Sequence, residues 1–328
     1  MHVLRWDLDK TYLATDIHSL TGLLRAAMED ATEKRHVPGA PELLRGLTQS
    51  AADVRVSILS GSPRQLRSVL ERRLVLDGIR FDSLILKDNL GNLRRGRIGA
   101  LRGQIGYKLP QLLSLRLSHD PEDVETLFGD DAEVDALIYA LYAAILAEEV
   151  EDADVFRVME AGGAYPDQLE HARRSLARLR RRDAVRRIYI HADRRVPVGW
   201  QSKLGPRIRV VYSWLQAALA LHEDGHLTAA AAASVVHRCV EGTPLTSWEL
   251  GSLVQDATRR GLASCGAISE VLKAANLPAE AGSVAQALAQ LGDIDPQISG
   301  PPPSATDWLA YLQATAAIPP LASAGSER

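Results

Sequence analysis

The sequence predicts an α/β fold, a mostly parallel sheet with helices on both faces, followed by a small α-helical bundle. Three observations carry this expectation. Through the first half of the chain, short apolar runs alternate with segments of helical periodicity, the pattern of strands joined by crossover helices. From Arg207 onward the chain is almost entirely helical in pattern and rich in alanine. Finally, two carboxylates, Asp7 and Asp9, stand at the exit of the first apolar run, and open α/β sheets gather their chemistry at the carboxyl ends of strands.

The elements follow in order. Strands are expected at residues 3–7, 54–60, 83–87 and 125–129, with helices near 17–34, 41–49, 64–73 and 109–117, the last led by Lys108. A helix over 134–149 comes next, then an acidic loop at 148–154, an Arg-rich amphipathic helix over 165–182 and a further strand at 185–191. Helices over 208–221, 227–241, 246–261, 268–275 and 283–291 make the bundle. After Asp295 the composition shifts to Pro, Ser, Ala and Gly, with Trp308 and Leu309 as isolated apolar residues, so this tail is expected to be largely flexible. The expected organisation is a sheet domain at 1–205, a helical region at 206–295 and the tail at 296–328.

With 328 residues, 46% of them hydrophobic, the chain can bury a substantial core. A formal net charge of −3 argues against binding dominated by nucleic-acid electrostatics. Two cysteines, Cys239 and Cys265, make neither a disulfide framework nor a zinc spacing, which suits a reducing, cytoplasmic setting. Charged residues Arg5, Asp7, Asp9 and Lys10 interrupt any signal-peptide core. The longest apolar stretches, 134–147 and 210–221, are shorter than the ~20 residues that cross a bilayer.

Three further features fall at expected strand ends. Asp7 and Asp9 are two apart, so both can face one metal and one phosphate. Ser60-Gly61-Ser62-Pro63 is a small hydroxyl-and-glycine turn entering a helix. It could approach a phosphate, or Ser62 could simply cap the helix. Lys108, at an expected helix start, sits poorly with the helix dipole and fits a phosphoryl partner better, although Lys87 competes for that role. Asp130, Asp131, Glu133 and Asp135 cluster beyond the strand at 125–129, and such oxygen-only ligands point to Mg²⁺ rather than zinc.

In this order, Asp-x-Asp-x-Thr at 7–11, Ser60, Lys108 and Gly129-Asp130 with Asp135, the pieces resemble the haloacid dehalogenase superfamily over residues 3–139. Ser60-Gly61-Ser62-Pro63, Leu86-Lys87-Asp88 and Ile138-Tyr139 are similar to its phosphatidate phosphatase catalytic-domain branch, related to lipins and the actin-patch phosphatase. The resemblance implies a HAD-like Rossmannoid fold and a phosphatase with Asp7 as nucleophile, Asp9 as general acid and base, and Thr11 orienting the loop. It further implies that Ser60 binds the transferring phosphoryl group and Lys108 offsets its charge. Mg²⁺ would be held by Asp7, the backbone carbonyl of Asp9, and Asp130, with Asp135 in support and Asp131 as an ambiguous second candidate.

The substrate implied is phosphatidate or another large phosphate, met at a membrane surface without a transmembrane segment. Asp7 stands so close to the first residue that no upstream membrane-targeting module is expected. Of the two intervals flanking Ser60, only 17–34 is free to form a small helical cover, with Ile17, Leu20, Leu24 and Met28 at helical spacing.

Other readings compete. A nucleic-acid-end phosphatase would use the arginines at 173, 174, 178, 180, 181, 182, 186 and 187 as a backbone-binding patch, although these also suit a solvated helix face. A non-catalytic binding protein on the same scaffold is opposed by the intact pair Asp7 and Asp9. His222-Glu223-Asp224-Gly225-His226 matches the zinc-protease string, but Gly225 reads as a turn that would break the helix that chemistry needs. Trp214, Ala218 and Leu221 read as a core stripe.

Overall fold

The computed structural model describes residues 1–14, 36–51, 53–88, 104–132, 134–193, 198–242, 245–277 and 305–317. The helices expected near 17–34 and 283–291 lie outside them. The chain forms two compact units, one of Met1–Leu90 with Val211–Ser299, the other of Gly91–Val210 with Gly300–Arg328. Six parallel strands are ordered β3-β2-β1-β4-β5-β6, bearing out the α/β expectation.

In the first unit, β1 (His2–Trp6) pairs with β2 (Val54–Pro63), His2 opposite Val54 and Trp6 opposite Ile58. Parallel pairing requires a crossover. Helix α1 (Ala40–Ser50) supplies it, entered through Gly39 in a left-handed conformation at φ +84°. A side chain at Gly39 would also sit 2.6 Å from the Cys239 sulfur, so glycine is required twice over. β2 continues through a short 3₁₀ turn and α2 (Arg67–Leu76) to β3 (Ser83–Lys87), with a register shift between Ser60 and Pro63.

The same unit contains α8 (Trp214–Glu223), α9 (Ala229–Gly242), α10 (Ser247–Arg259) and α11 (Cys265–Ala275). Every residue of α8 from Trp214 to Leu221 is buried, and α9 packs on α1, α8 and α11. A helix apolar all round must be covered on all sides. Trp214 lies against Trp6 with ring centroids 5.5 Å apart.

In the second unit, α3 (Gln104–Leu117) leads to β4 (Val124–Asp130), which pairs with β5 (Val185–His191), Asp130 opposite His191. Between them come α4 (Asp135–Leu146), buried at all twelve residues, then α5 (Asp152–Ala161) and α6 (Pro166–Leu176). Short α7 (Val198–Gln201) precedes β6 (Ile208–Val211). Helix α12 (Ala305–Ala317) packs on α4 and α5, with Trp308 buried and Tyr311 against Trp200.

Several elements differ from expectation. Residues 208–211 are strand rather than helix. Their branched Ile208, Val210 and Val211 suit a sheet, and the helix starts only after Ser213, which caps it. The Arg-rich helix stops at Leu176 instead of 182. The acidic stretch is partly helical, with Asp152 and Asp154 in the first turn of α5, where the dipole favours them. Lys108 does not start its helix, which already runs from Gln104 and carries Pro110 inside it. Residues 305–317 are helix and not flexible tail, because Trp308 and Tyr311 bury one side of it. Among the described residues no helix is long and apolar enough to cross a membrane.

Candidate active site

Strand β1 ends at Trp6, and the next residues form a tight loop. The amides of Tyr12 and Leu13 both donate to the Leu8 carbonyl, at 3.0 and 2.8 Å, and the Lys10 amide donates to the Leu13 carbonyl at 2.8 Å. Lys10 takes a left-handed φ of +58° to allow this turn. Asp7, Leu8 and Thr11 are thereby buried, while Asp9 is half-buried. The Trp214 indole donates to the Thr11 carbonyl at 3.0 Å, so helix α8 braces the loop from behind.

Asp9 is held by β2. The Ser60 hydroxyl donates to it at 2.8 Å, and the Ser62 hydroxyl lies 2.9 and 3.0 Å from its two oxygens. Residues two apart on an extended strand share a face, which is why both hydroxyls reach the same carboxylate. The Ser62 amide donates to the Ser60 hydroxyl at 2.9 Å, fixing that hydroxyl's orientation. Ser62 therefore does not cap the following helix. The sequence offered Ser62 either as part of a turn approaching a phosphate or as a helix cap, and its contact with Asp9 was not foreseen, although its two-residue spacing from Ser60 was the available signal.

The loop is also fastened at its far side. The Tyr12 hydroxyl donates to Asp77 at 2.8 Å, and His36 Nε2 and Arg73 Nη2 lie 2.7 and 3.0 Å from the same carboxylate. Burial opposes ionisation of Asp77, but the hydrogen bonds from His36 and Tyr12 and the charge of Arg73 outweigh it and hold its carboxyl below the usual range. Burial first, then the charge of Asp77, pushes the Tyr12 phenol far up, so it stays a donor. None of these three partners was singled out from sequence, because each is far from Tyr12 along the chain.

In the second unit, Asp130 closes β4 and accepts the Ala132 amide at 2.6 Å. Asp131 donates its amide to the His191 carbonyl at 3.1 Å. Asp135 begins α4, where a carboxylate is favoured by the helix dipole. Lys108 donates to Asp135 at 2.5 Å, and both side chains are completely buried. A methyl group at Gly129 would come within 2.7 Å of Asp135 Oδ2 and 2.8 Å of the Tyr139 ring, so the glycine before Asp130 leaves room for Asp135. Lys87, the rival cation, ends β3 and is largely buried.

Asp7 in the first unit, and Asp130 and Asp135 in the second, are buried carboxylates of a kind that could serve as ligands to a metal ion. Their donor set is oxygen only, which suits a hard cation. The zinc-protease string does not form such a site. Gly225 turns the chain at φ +75° after α8 has ended, and Glu223 accepts the Ser264 hydroxyl and amide.

In this parallel α/β sheet Asp7 follows the end of β1 and Asp130 closes β4. Residues 6–153 match the family described as phosphatidate phosphatase APP1, catalytic domain, and the resemblance read from the motifs is borne out. Every expected site residue from Asp7 to Asp135 lies inside that stretch. Comparison with curated proteins and with solved structures gave no match. The match supports a phosphatase of the phosphatidate phosphatase type.

Proposed function

We propose that the chain is a Mg²⁺-dependent phosphomonoester hydrolase that works through an aspartyl-phosphate on Asp7, with phosphatidate or another large phosphorylated molecule as substrate. The observation that carries this reading is the match of residues 6–153 to the phosphatidate phosphatase catalytic domain, together with Asp9 held by Ser60 and Ser62 in the first unit and the buried Lys108–Asp135 pair near Asp130 in the second. A buried ionised carboxylate is costly unless cations or hydrogen-bond donors answer its charge. A divalent cation held by Asp7, Asp130 and the Asp9 carbonyl, with Asp135 in support, would be such a partner. When bound it would supply Lewis-acid stabilisation of the phosphoryl oxygens.

The chain's own residues do the rest. Asp7 attacks phosphorus in line and expels the alkoxide. Asp9 gives that leaving oxygen its proton and then takes one from the water that hydrolyses the aspartyl-phosphate. Ser62 and Ser60 aim the Asp9 carboxylate, and Ser60 can turn its hydroxyl to the transferring phosphoryl group. Lys108, held in place by Asp135, offsets charge on that group, and Thr11 fixes the loop.

Asp7→Asn should abolish EDTA-sensitive phosphate release from an activated aryl phosphate while circular dichroism stays unchanged. Retained turnover would remove Asp7 as nucleophile. Phosphatidate vesicles and a 3′-phosphorylated oligonucleotide compared side by side would fix the substrate class, and a preference for the oligonucleotide would overturn the lipid reading.

A further inference from the structure

The structure divides the eight arginines between Arg173 and Arg187 by partner. Arg173 pairs with Glu170 at 2.9 Å and lies over the Phe156 ring, and Arg174 reaches the same carboxylate at 3.8 Å. Arg181 binds Asp152 and Arg182 binds Glu122. Arg178 and Arg180 are exposed and make no ion pair among the described residues. Both belong to the segment joining α6 to β5. With Leu179 they line a cleft of about 240 Å³ whose other walls include Leu117, His119 and Pro121.

The groups around this cleft leave its two free guanidiniums unanswered. Arg116, at its base, is buried and donates to the carbonyls of Asp123 and Pro121 and to Glu125. Glu125 also accepts the Tyr142 hydroxyl, Asp123 lies 3.8 Å from His119, and Glu122 is taken by Arg182. Each of these carboxylates thus has a partner, and Asp120, exposed between His119 and Pro121, accepts the Glu122 amide at 2.8 Å.

We propose that this cleft is an anion site for a phosphate monoester, separate from the carboxylate group of the candidate active site. Guanidinium forks match the oxygens of a phosphate dianion, and the apolar faces of Leu117, Leu179 and Pro121 suit the organic part of the ester. At about 240 Å³ the cleft suits a small headgroup rather than a polymer. A nucleic-acid strand needs an extended basic track, which two arginines at one cleft do not make. Pro121 and Asp123 precede β4, whereas Asp130 ends it, and seven strand residues span about 23 Å. A ligand here is therefore not the one that meets Asp130.

The test is titration calorimetry of the full chain in EDTA with inorganic phosphate and with glycerol phosphate, beside sedimentation with phosphatidylcholine vesicles with and without phosphatidate. The exposed double variant Arg178→Glu/Arg180→Glu is compared with the wild type. Saturable binding should weaken by at least about tenfold in the variant, the loss expected for charge-assisted hydrogen bonds. Loss confined to the soluble ligands assigns a free phosphate ester, and loss of phosphatidate-dependent sedimentation assigns a lipid headgroup. No saturable binding by the wild type, equal binding by the variant, or tighter variant-sensitive binding of a single-stranded oligonucleotide would each overturn the proposal. The measurement needs no turnover, so its outcome is independent of the catalytic reading.

Discussion

Replacing Lys108 by Met tests the buried charge at the centre of the second unit. Lys108 and Asp135 meet at 2.5 Å with no exposure of either side chain. Met keeps most of the lysine stem's volume, so little cavity forms, but the Asp135 charge is left in a low-dielectric space without its cation. Breaking a fully buried pair in this way costs about 3–5 kcal/mol. For a chain of 328 residues each kcal/mol lowers the melting temperature by about 1.5 °C, so a fall of roughly 4–7 °C is expected. Differential scanning calorimetry in EDTA reads it without interference from added cation. The double variant Lys108→Met/Asp135→Leu removes both charges and should recover most of the loss, because an apolar pair avoids the desolvation cost. Under the proposed function neither variant turns over phosphate. A Lys108→Met protein as stable as wild type, or a double variant no more stable than the single, would refute the reasoning.

Ser62→Ala should slow hydrolysis of an alkyl phosphate by about tenfold to a hundredfold, the worth of hydrogen bonds to a charged group, with a smaller effect on an aryl phosphate whose leaving group needs less help from Asp9. Equal effects on the two substrates would remove Ser62 as the residue that positions the acid. The Asp77 carboxyl, held below its ordinary value of 3.8, contributes stability that is present above that pH and is lost as pH falls through its lower folded value. Urea midpoints between neutrality and acid should therefore drop more steeply for wild type than for Asp77→Asn, and parallel curves would count against the Tyr12–Asp77 clamp.

Much of the fold was legible because the signals are local. Alternation of apolar runs with helical periodicity marked strands at 54–60, 83–87, 125–129 and 185–191, and each lies within a strand of the structure. The misreading at 208–211 shows the limit. A short apolar run followed by a strong helix has the same hydrophobicity whether it is strand or helix, and only its position in the sheet decides. Lys108 was singled out for a reason that does not hold, a helix start, although its actual position inside α3 places it on Asp135. Trp308 read as isolated because its neighbours on α4 and α5 lie far back in the chain.

By itself the sequence determined the order of the strands and helices apart from 208–211 and 305–317, the acids at the ends of β1 and β4, and the resemblance these motifs carry, since spacing along a chain fixes which side chains share a strand face. Tertiary structure alone decided which partners those side chains take. It set Ser62 on Asp9 rather than on a helix end, Lys108 on Asp135, Trp214 behind Thr11, and Asp77 on Tyr12. Burial and charge pairing depend on every element packed around a group, and no local window of residues contains that sum.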